Sequence, residues 1–170
     1  CILTTGTYMD STVMISSHTR SEGPDGDKTT KNLSESLRKL GIRLFRLKTG
    51  TPPRVLTSSI DFSKTKYEPG ASEFLHFSEE TTKDQVLPYE KQIPCYLTYT
   101  SEETLRIIRE NLNRSSMYSG VVKGVGPRYC PSIEDKVVRF SDKPRHQLFL
   151  EPESLSLDTT YIQGFSTSMP

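Results

Sequence analysis

Cys130 is a thiol set between two prolines, in the run Gly126-Pro127-Arg128-Tyr129-Cys130-Pro131-Ser132-Ile133-Glu134-Asp135-Lys136-Val137-Val138-Arg139-Phe140. Proline fixes its own φ and restricts the residue before it, so Pro127 and Pro131 confine both approaches to the thiol without a helix or sheet to hold it. Arg128, Lys136 and Arg139 stand near enough in sequence to stabilise a thiolate, the form of cysteine that attacks carbon. Glu134 and Asp135 follow. If the chain folds back, one of them can orient a cation or act as a general base, and Asp135 is the candidate catalytic carboxylate. Against this stands a plainer account, in which Cys130 is a small buried hydrophobe and the two acids are solvated on a strand edge.

A second chemical feature is Lys48-Thr49-Gly50-Thr51-Pro52-Pro53-Arg54. Two cations flank small residues, and Gly50 lacks the Cβ that would keep a ligand from the backbone N–H groups, so the turn suits an anion. The glycine-lysine-Ser/Thr order of a P-loop is missing, which excludes nucleotide hydrolysis of that type. A phosphate of a nucleic acid or of a cofactor is the kind of anion that fits Lys48, Gly50 and Arg54, and a rigid turn with solvated charges is the alternative. Lys143, Arg145 and His146 make a small basic cluster before the apolar Leu148-Phe149-Leu150. It is an RNA contact or a solvated strand entrance. Tyr96, Tyr99, Tyr118 and Tyr129 are able to stack on a base, although tyrosines near strands are often half-buried core.

Composition narrows the classes. Lys and Arg number 22 against 21 Asp and Glu, a net charge of +1, so any grip on a polyanion has to come from local patches. No apolar run approaches the roughly 18 residues of a membrane helix, and no membrane contact is expected. Three cysteines without C-x-x-C spacing (Cys1, Cys95, Cys130) and the scattered His18, His76 and His146 point to a reducing, cytoplasmic setting without a disulfide framework or metal site.

The elements that must position these groups are short. Strands are expected at 2–5, 12–16, 42–47, 93–99, 121–122, 137–138, 147–150 and 160–163. A helix over 30–40 sets Leu33, Leu37 and Leu40 on one face, with Thr30 as cap and Gly41 as stop. A second helix follows Ser101, with Glu102 and Glu103 in its first turn and Leu105, Ile108 and Leu112 as its apolar stripe. Residues 21–28 read as a loop, and the Pro- and Gly-rich 49–92 as loops with short strand pieces and disorder near 68–90.

Several strings, in one order along nearly the whole chain, resemble the glucose-inhibited division protein A family: LTTGTYMDS at 3–11, LRKLG at 37–41, RLKTGTPPRV at 46–55, IDFSK at 60–64, PCYLTYTSEET at 94–104, MYSGVVKGVGPRYC at 117–130, the run through Phe140, DKPRHQLFLEPE at 142–153 and GFSTSMP at 164–170. One stretch, Asp10 to Ile15, departs from a glycine-containing segment common in the family. The resemblance implies an α+β chain, an α/β flavoprotein fragment. Residues 1–10 would belong to a glutathione-reductase-type FAD domain, 11–119 to an insertion domain around a mixed or antiparallel sheet, and 120–170 to the FAD domain again. The family is several times longer, and no G-x-G-x-x-G fingerprint occurs here, so the chain reads as an internal fragment expected to be inactive by itself.

The resemblance further implies a flavin-dependent enzyme that adds a carboxymethylaminomethyl group to C5 of the wobble uridine (U34) of certain tRNAs. It would use FAD, NADH and 5,10-methylenetetrahydrofolate, work with a GTPase partner subunit (MnmE), and form a homodimer. Cys130 matches one of the family's two functional cysteines, and Gly126 through Phe140 its dinucleotide-binding region. Two other readings are a flavin- and folate-dependent tRNA uridine methyltransferase and a non-enzymatic RNA- or partner-binding module.

Overall fold

The computed structural model describes residues 2–122, 124, 126 and 131–170. Pro127, Arg128, Tyr129 and Cys130 therefore lie outside the described residues. The chain is α+β, built of helices and antiparallel sheet. Strands β1 (Val13–Ile15) and β2 (His18–Arg20) form a hairpin, and the Ser16 amide at its turn donates to the Ser168 carbonyl at 3.1 Å. Helix α1 (Lys31–Lys39) follows and ends at Gly41, whose φ of +81° is the left-handed stop that the sequence predicts. Leu37 is buried, while Leu40, past the last helical turn, is exposed.

Strands β3 (Arg54–Leu56), β4 (Lys66–Glu68), β5 (Cys95–Tyr99), β6 (Gln147–Pro152) and β7 (Thr159–Gln163) form one antiparallel sheet in the order β3-β7-β6-β5-β4. The sheet thus draws strands from both sides of residue 120. Residues paired across strands share a face. One face carries Tyr67, Tyr96, Leu150 and Ile162 in a row, and the other Lys66, Leu97, Phe149 and Gln163.

β3 and β4 are neighbours in sequence but occupy opposite edges of the sheet, four strand spacings or about 19 Å apart. The connection between them, residues 57–65, crosses the first face. Thr57 Oγ1 meets Thr160 Oγ1 at 2.9 Å, and the Phe62 ring lies 4.4 Å from that of Tyr96. Residues 68–90, where the sequence predicts disorder, run through short 3-10 turns. Gln92 ties them together by donating to the carbonyls of Ala71 (3.0 Å) and Leu87 (3.1 Å).

Two helices complete the fold. Helix α2 (Glu102–Glu110) starts as its sequence dictates: the Ser101 hydroxyl accepts from the Thr104 amide at 3.1 Å. Helix α3 (Ile133–Arg139) replaces the strand expected at 137–138. Ile133 and Val137, four apart, turn to the same side and pack with Leu105 and Ile108 of α2 in a core that Leu112, Phe165 and Met169 border. Each such fully buried aliphatic side chain contributes about 1.5–3 kcal/mol, which outweighs the β preference of paired valines. Among the described residues, the segments expected as strands at 2–5, 42–47 and 121–122 form no strand, and Leu47 alone of them is a bridge residue.

Candidate functional site

Helix α3 begins in a reciprocal cap. The Ser132 hydroxyl accepts from the Asp135 amide at 3.1 Å, and Asp135 Oδ2 accepts from the Ser132 amide and hydroxyl, both at 3.3 Å. The other carboxylate oxygen, Oδ1, accepts from the Tyr118 hydroxyl at 3.0 Å, and the Arg139 guanidinium stands 3.7 Å away. Burial, and then the hydrogen bond to Asp135, push the Tyr118 phenol up to about 12, so it stays a donor throughout the physiological range. Asp135 is therefore a buried acceptor held from two elements, not an acid on a strand edge.

Glu134, wholly buried, ties together three segments distant in sequence. Its Oε1 accepts from the Ser115 hydroxyl, the Thr167 hydroxyl and the Ser168 amide, each at 3.0 Å. Ser168 Oγ meets Ser115 Oγ at 2.8 Å, which closes the network. Glu134 Oε2 has no hydrogen-bond partner among the described residues.

The Lys48–Arg54 turn reaches the same corner. Thr51 bridges Thr167, whose amide donates to the Thr51 carbonyl at 3.1 Å, and the Ile133 amide donates to the Ser166 carbonyl at 2.7 Å. A Cβ on Gly50 would stand 3.0 Å from Ser166 Cβ and 3.2 Å from the Thr167 nitrogen. The close approach that Gly50 permits is thus made by the protein's own backbone. A Cβ on Gly126 would stand 3.3 Å from Lys48 Cε, so the Lys48 stem lies beside the start of the Gly126–Phe140 run. Arg54 turns elsewhere, to Glu153 (2.7 Å) and over the Tyr161 ring (5.1 Å).

The structure thus gathers Lys48, Gly50, Gly126, Ser132, Glu134 and Asp135 around one corner and sends Arg54 away from it. Of the remaining described residues in the run, Ile133 and Val137 belong to the core, and Val138, Arg139 and Phe140 are exposed. Lys136 donates to the Gly164 carbonyl at 2.7 Å, and Pro131 leads into the cap. Lys143 lies over the ring of Phe140, the residue that ends α3 (5.3 Å), and Arg145 over the Tyr99 ring (4.0 Å). Ser115, Tyr118, Thr167 and Ser168 were not singled out by sequence reasoning as partners of the two acids. The Ser132-x-x-Asp135 spacing is the one local signal of this site, since it spells a helix cap. Among the described residues no cluster of His, Cys, Asp and Glu is arranged for a metal, and no helix is long and apolar enough to cross a membrane.

Comparison with known proteins gives a consistent result. The sequence pattern of the family described as Glucose inhibited division protein A matches residues 1–170. The tRNA uridine 5-carboxymethylaminomethyl modification enzyme MnmG of Mycoplasma mobile is 57% identical over 169 residues, which is 99% of this chain and 27% of that protein. The protein of the same name from Mycoplasmopsis synoviae is 57% identical over 170 residues, 100% of this chain and 27% of its own. The form I crystal structure of Aquifex aeolicus GidA superposes with a TM-score of 0.83 at 44% identity, over 98% of this chain and 28% of that one. The chain spans 27% of the length of these curated relatives.

Proposed function

The chain belongs to the glucose inhibited division protein A family, and from that membership we propose that it is a segment of an enzyme that modifies tRNA by adding a carboxymethylaminomethyl group to C5 of the wobble uridine. The observation that carries this reading is the match over residues 1–170 together with relatives that bear the name of that activity. In the same reading Cys130 is the nucleophile. Uridine C5 is a poor nucleophile, and a thiolate bond to C6 moves an electron pair onto C5 and the O4 carbonyl, so that C5 attacks an activated one-carbon unit. Loss of the C5 proton and expulsion of the thiolate then restore the double bond and the free cysteine.

FAD and NADH would supply the redox chemistry and 5,10-methylenetetrahydrofolate the carbon. The described part of the Gly126–Phe140 run does not fit a dinucleotide. The amide of Asp135 is taken by the Ser132 hydroxyl and that of Ile133 by the Ser166 carbonyl, two carboxylates occupy the first turn of α3, and Ile133 and Val137 are core. The role of these residues here is to hold the corner beside Lys48, and no contact with either dinucleotide is assigned to them. A GTPase partner subunit, a homodimer and a cytoplasmic setting belong to the same proposal, supported by family membership alone.

The test is nucleoside analysis of tRNA treated with the full-length protein and with its Cys130→Ser variant. The variant is expected to bind tRNA normally and to leave the wobble uridine unmodified, with the loss in the chemical step. Near-normal modification by the serine variant excludes an obligatory covalent role, and a wild-type protein that leaves the uridine untouched overturns the reading as a whole.

A further inference from the structure

Two hydrogen bonds join the segment that precedes Cys130 to the helix that follows it. The Ser115 hydroxyl donates to Glu134 across 19 residues of sequence, and the Tyr118 hydroxyl donates to Asp135 across 17, each at 3.0 Å. They differ in kind. The first belongs to the interior, since Ser115 and Glu134 are wholly buried and Thr167 and Ser168 share the carboxylate. The second lies at the surface. Tyr118 is 38% exposed, and its amide donates to the Ser115 carbonyl at 3.1 Å. Its hydroxyl reaches the carboxylate oxygen of Asp135 that the α3 cap does not use. The described residues on the other side of Cys130 are held as well. A Cβ on Gly124 would stand 3.4 Å from the Arg46 carbonyl oxygen and one on Gly126 3.3 Å from Lys48 Cε, so both glycines lie beside residues 46–48.

Cys130 itself lies outside the described residues, but Pro131 follows it directly and Ser132, the cap of α3, comes next. Proline fixes its own φ and restricts the residue before it, so a tilt or slip of the cap passes to the thiol with little slack. A reacting group has to be held within roughly 0.5 Å of its productive place, and a misplacement of about 1 Å costs on the order of 100-fold in rate. We propose that Tyr118 is a positioning residue for the Cys130 thiol, acting through Asp135 and the Ser132 cap to fix the end of α3 from which Cys130 is hung. Tyr118 has this role only if Cys130 is the nucleophile, so it rests on the function proposed above. Asp135 then has a task other than the general base expected from the sequence. One of its oxygens closes the cap, the other receives the phenol, and Arg139 stands 3.7 Å away.

The test compares full-length wild type with Tyr118→Phe, which keeps the ring and removes only the hydroxyl. The single-turnover rate of tRNA modification at saturating tRNA is expected to fall about 10-fold, while tRNA affinity stays within about twofold. Alkylation of Cys130 by iodoacetamide, read by mass spectrometry of its peptide, is expected to stay within about threefold, because a small free reagent needs the thiolate but not its aim. A wild-type modification rate overturns the role, and so does a loss that shows only as weaker tRNA binding. Alkylation that falls as far as modification overturns it too, since the hydroxyl would then set the reactivity of the thiol and not its place. In an Asp135→Asn background, removing the Tyr118 hydroxyl is expected to cost less than about twofold more; a second full loss would show that Tyr118 does not act through Asp135. Cys130→Ser separates the two proposals. An active serine variant sinks the nucleophile, whereas an inactive one beside a fully active Tyr118→Phe sinks the positioning role alone.

Discussion

A carboxylate without solvent contact must find its donors inside the protein, and Glu134 concentrates three of them, at 3.0 Å each, on one oxygen. Removing the carboxylate leaves the Thr167 hydroxyl and the Ser168 amide without their acceptor, leaves the Ser115 hydroxyl only its Ser168 partner, and opens a cavity where the side chain stood. Glu134→Ala is expected to cost about 3 kcal/mol or more. Glu134→Gln keeps an acceptor at Oε1 and is expected to cost at most about half as much. Urea unfolding of both variants checks this, and equal losses would show that the side-chain volume, not the acceptor, matters. None of this was legible in the sequence, where Glu134 and Asp135 read as a candidate general base in a dinucleotide-binding run or, more plainly, as adjacent solvated acids. The partners of Glu134 lie 19 to 34 residues away, and hydroxyls at such distances leave no periodic trace.

At the level of elements, local chemistry decided what was readable. α1 and α2 were legible because each carries its own stop or start: Gly41 after the first, Ser101 before the second. α3 was not, because Val137 and Val138 suggest a strand, and only the Ser132-x-x-Asp135 cap reveals a helix. The run 42–47 has the apolar content of a strand but finds no ladder in the sheet, since β7 takes Arg54–Leu56 as its outer neighbour. The Lys48–Arg54 turn was recognised as rigid, but its glycine was assigned to a ligand, whereas Ser166 and Thr167 fill the space. Gly50→Ala is therefore expected to push the 166–167 backbone away and to cost about 1–3 kcal/mol. Hydrogen exchange at the Thr167 amide, which donates to Thr51, should quicken in step with that loss. An unchanged Thr167 amide would mean that the turn accommodates a methyl group without parting from its neighbour.

For the molecule as a whole, α+β was the correct class, and the five-stranded antiparallel sheet takes β6 and β7 from beyond residue 120 along with β3, β4 and β5. The strand order was beyond reach, because nothing in residues 54–68 says that two strands so close in sequence stand at opposite edges. Leu40 and Phe45 are 77% and 80% exposed, and Leu47 and Ile42 are exposed with them, in a chain that spans 27% of its relatives' length. Such a group of exposed apolar side chains is more than a monomer ordinarily leaves in water. The 170-residue chain is expected to bind an apolar dye such as ANS markedly more, per molecule, than the full-length protein; equal dye binding would show that these side chains stay in water in both. The connection that crosses the sheet, residues 57–65, also bears on how the protein is made. Thr57 meets Thr160 across 103 residues of sequence, and a fold dominated by such pairings forms slowly, in milliseconds to seconds. At ordinary translation speeds roughly 5–20 s separate the two residues on the ribosome. During that interval β3, the crossing segment, β4 and then β5 are synthesised ahead of β6 and β7, the two strands that join the sheet's halves, so Phe62 and its apolar neighbours wait in the nascent chain for their full cover.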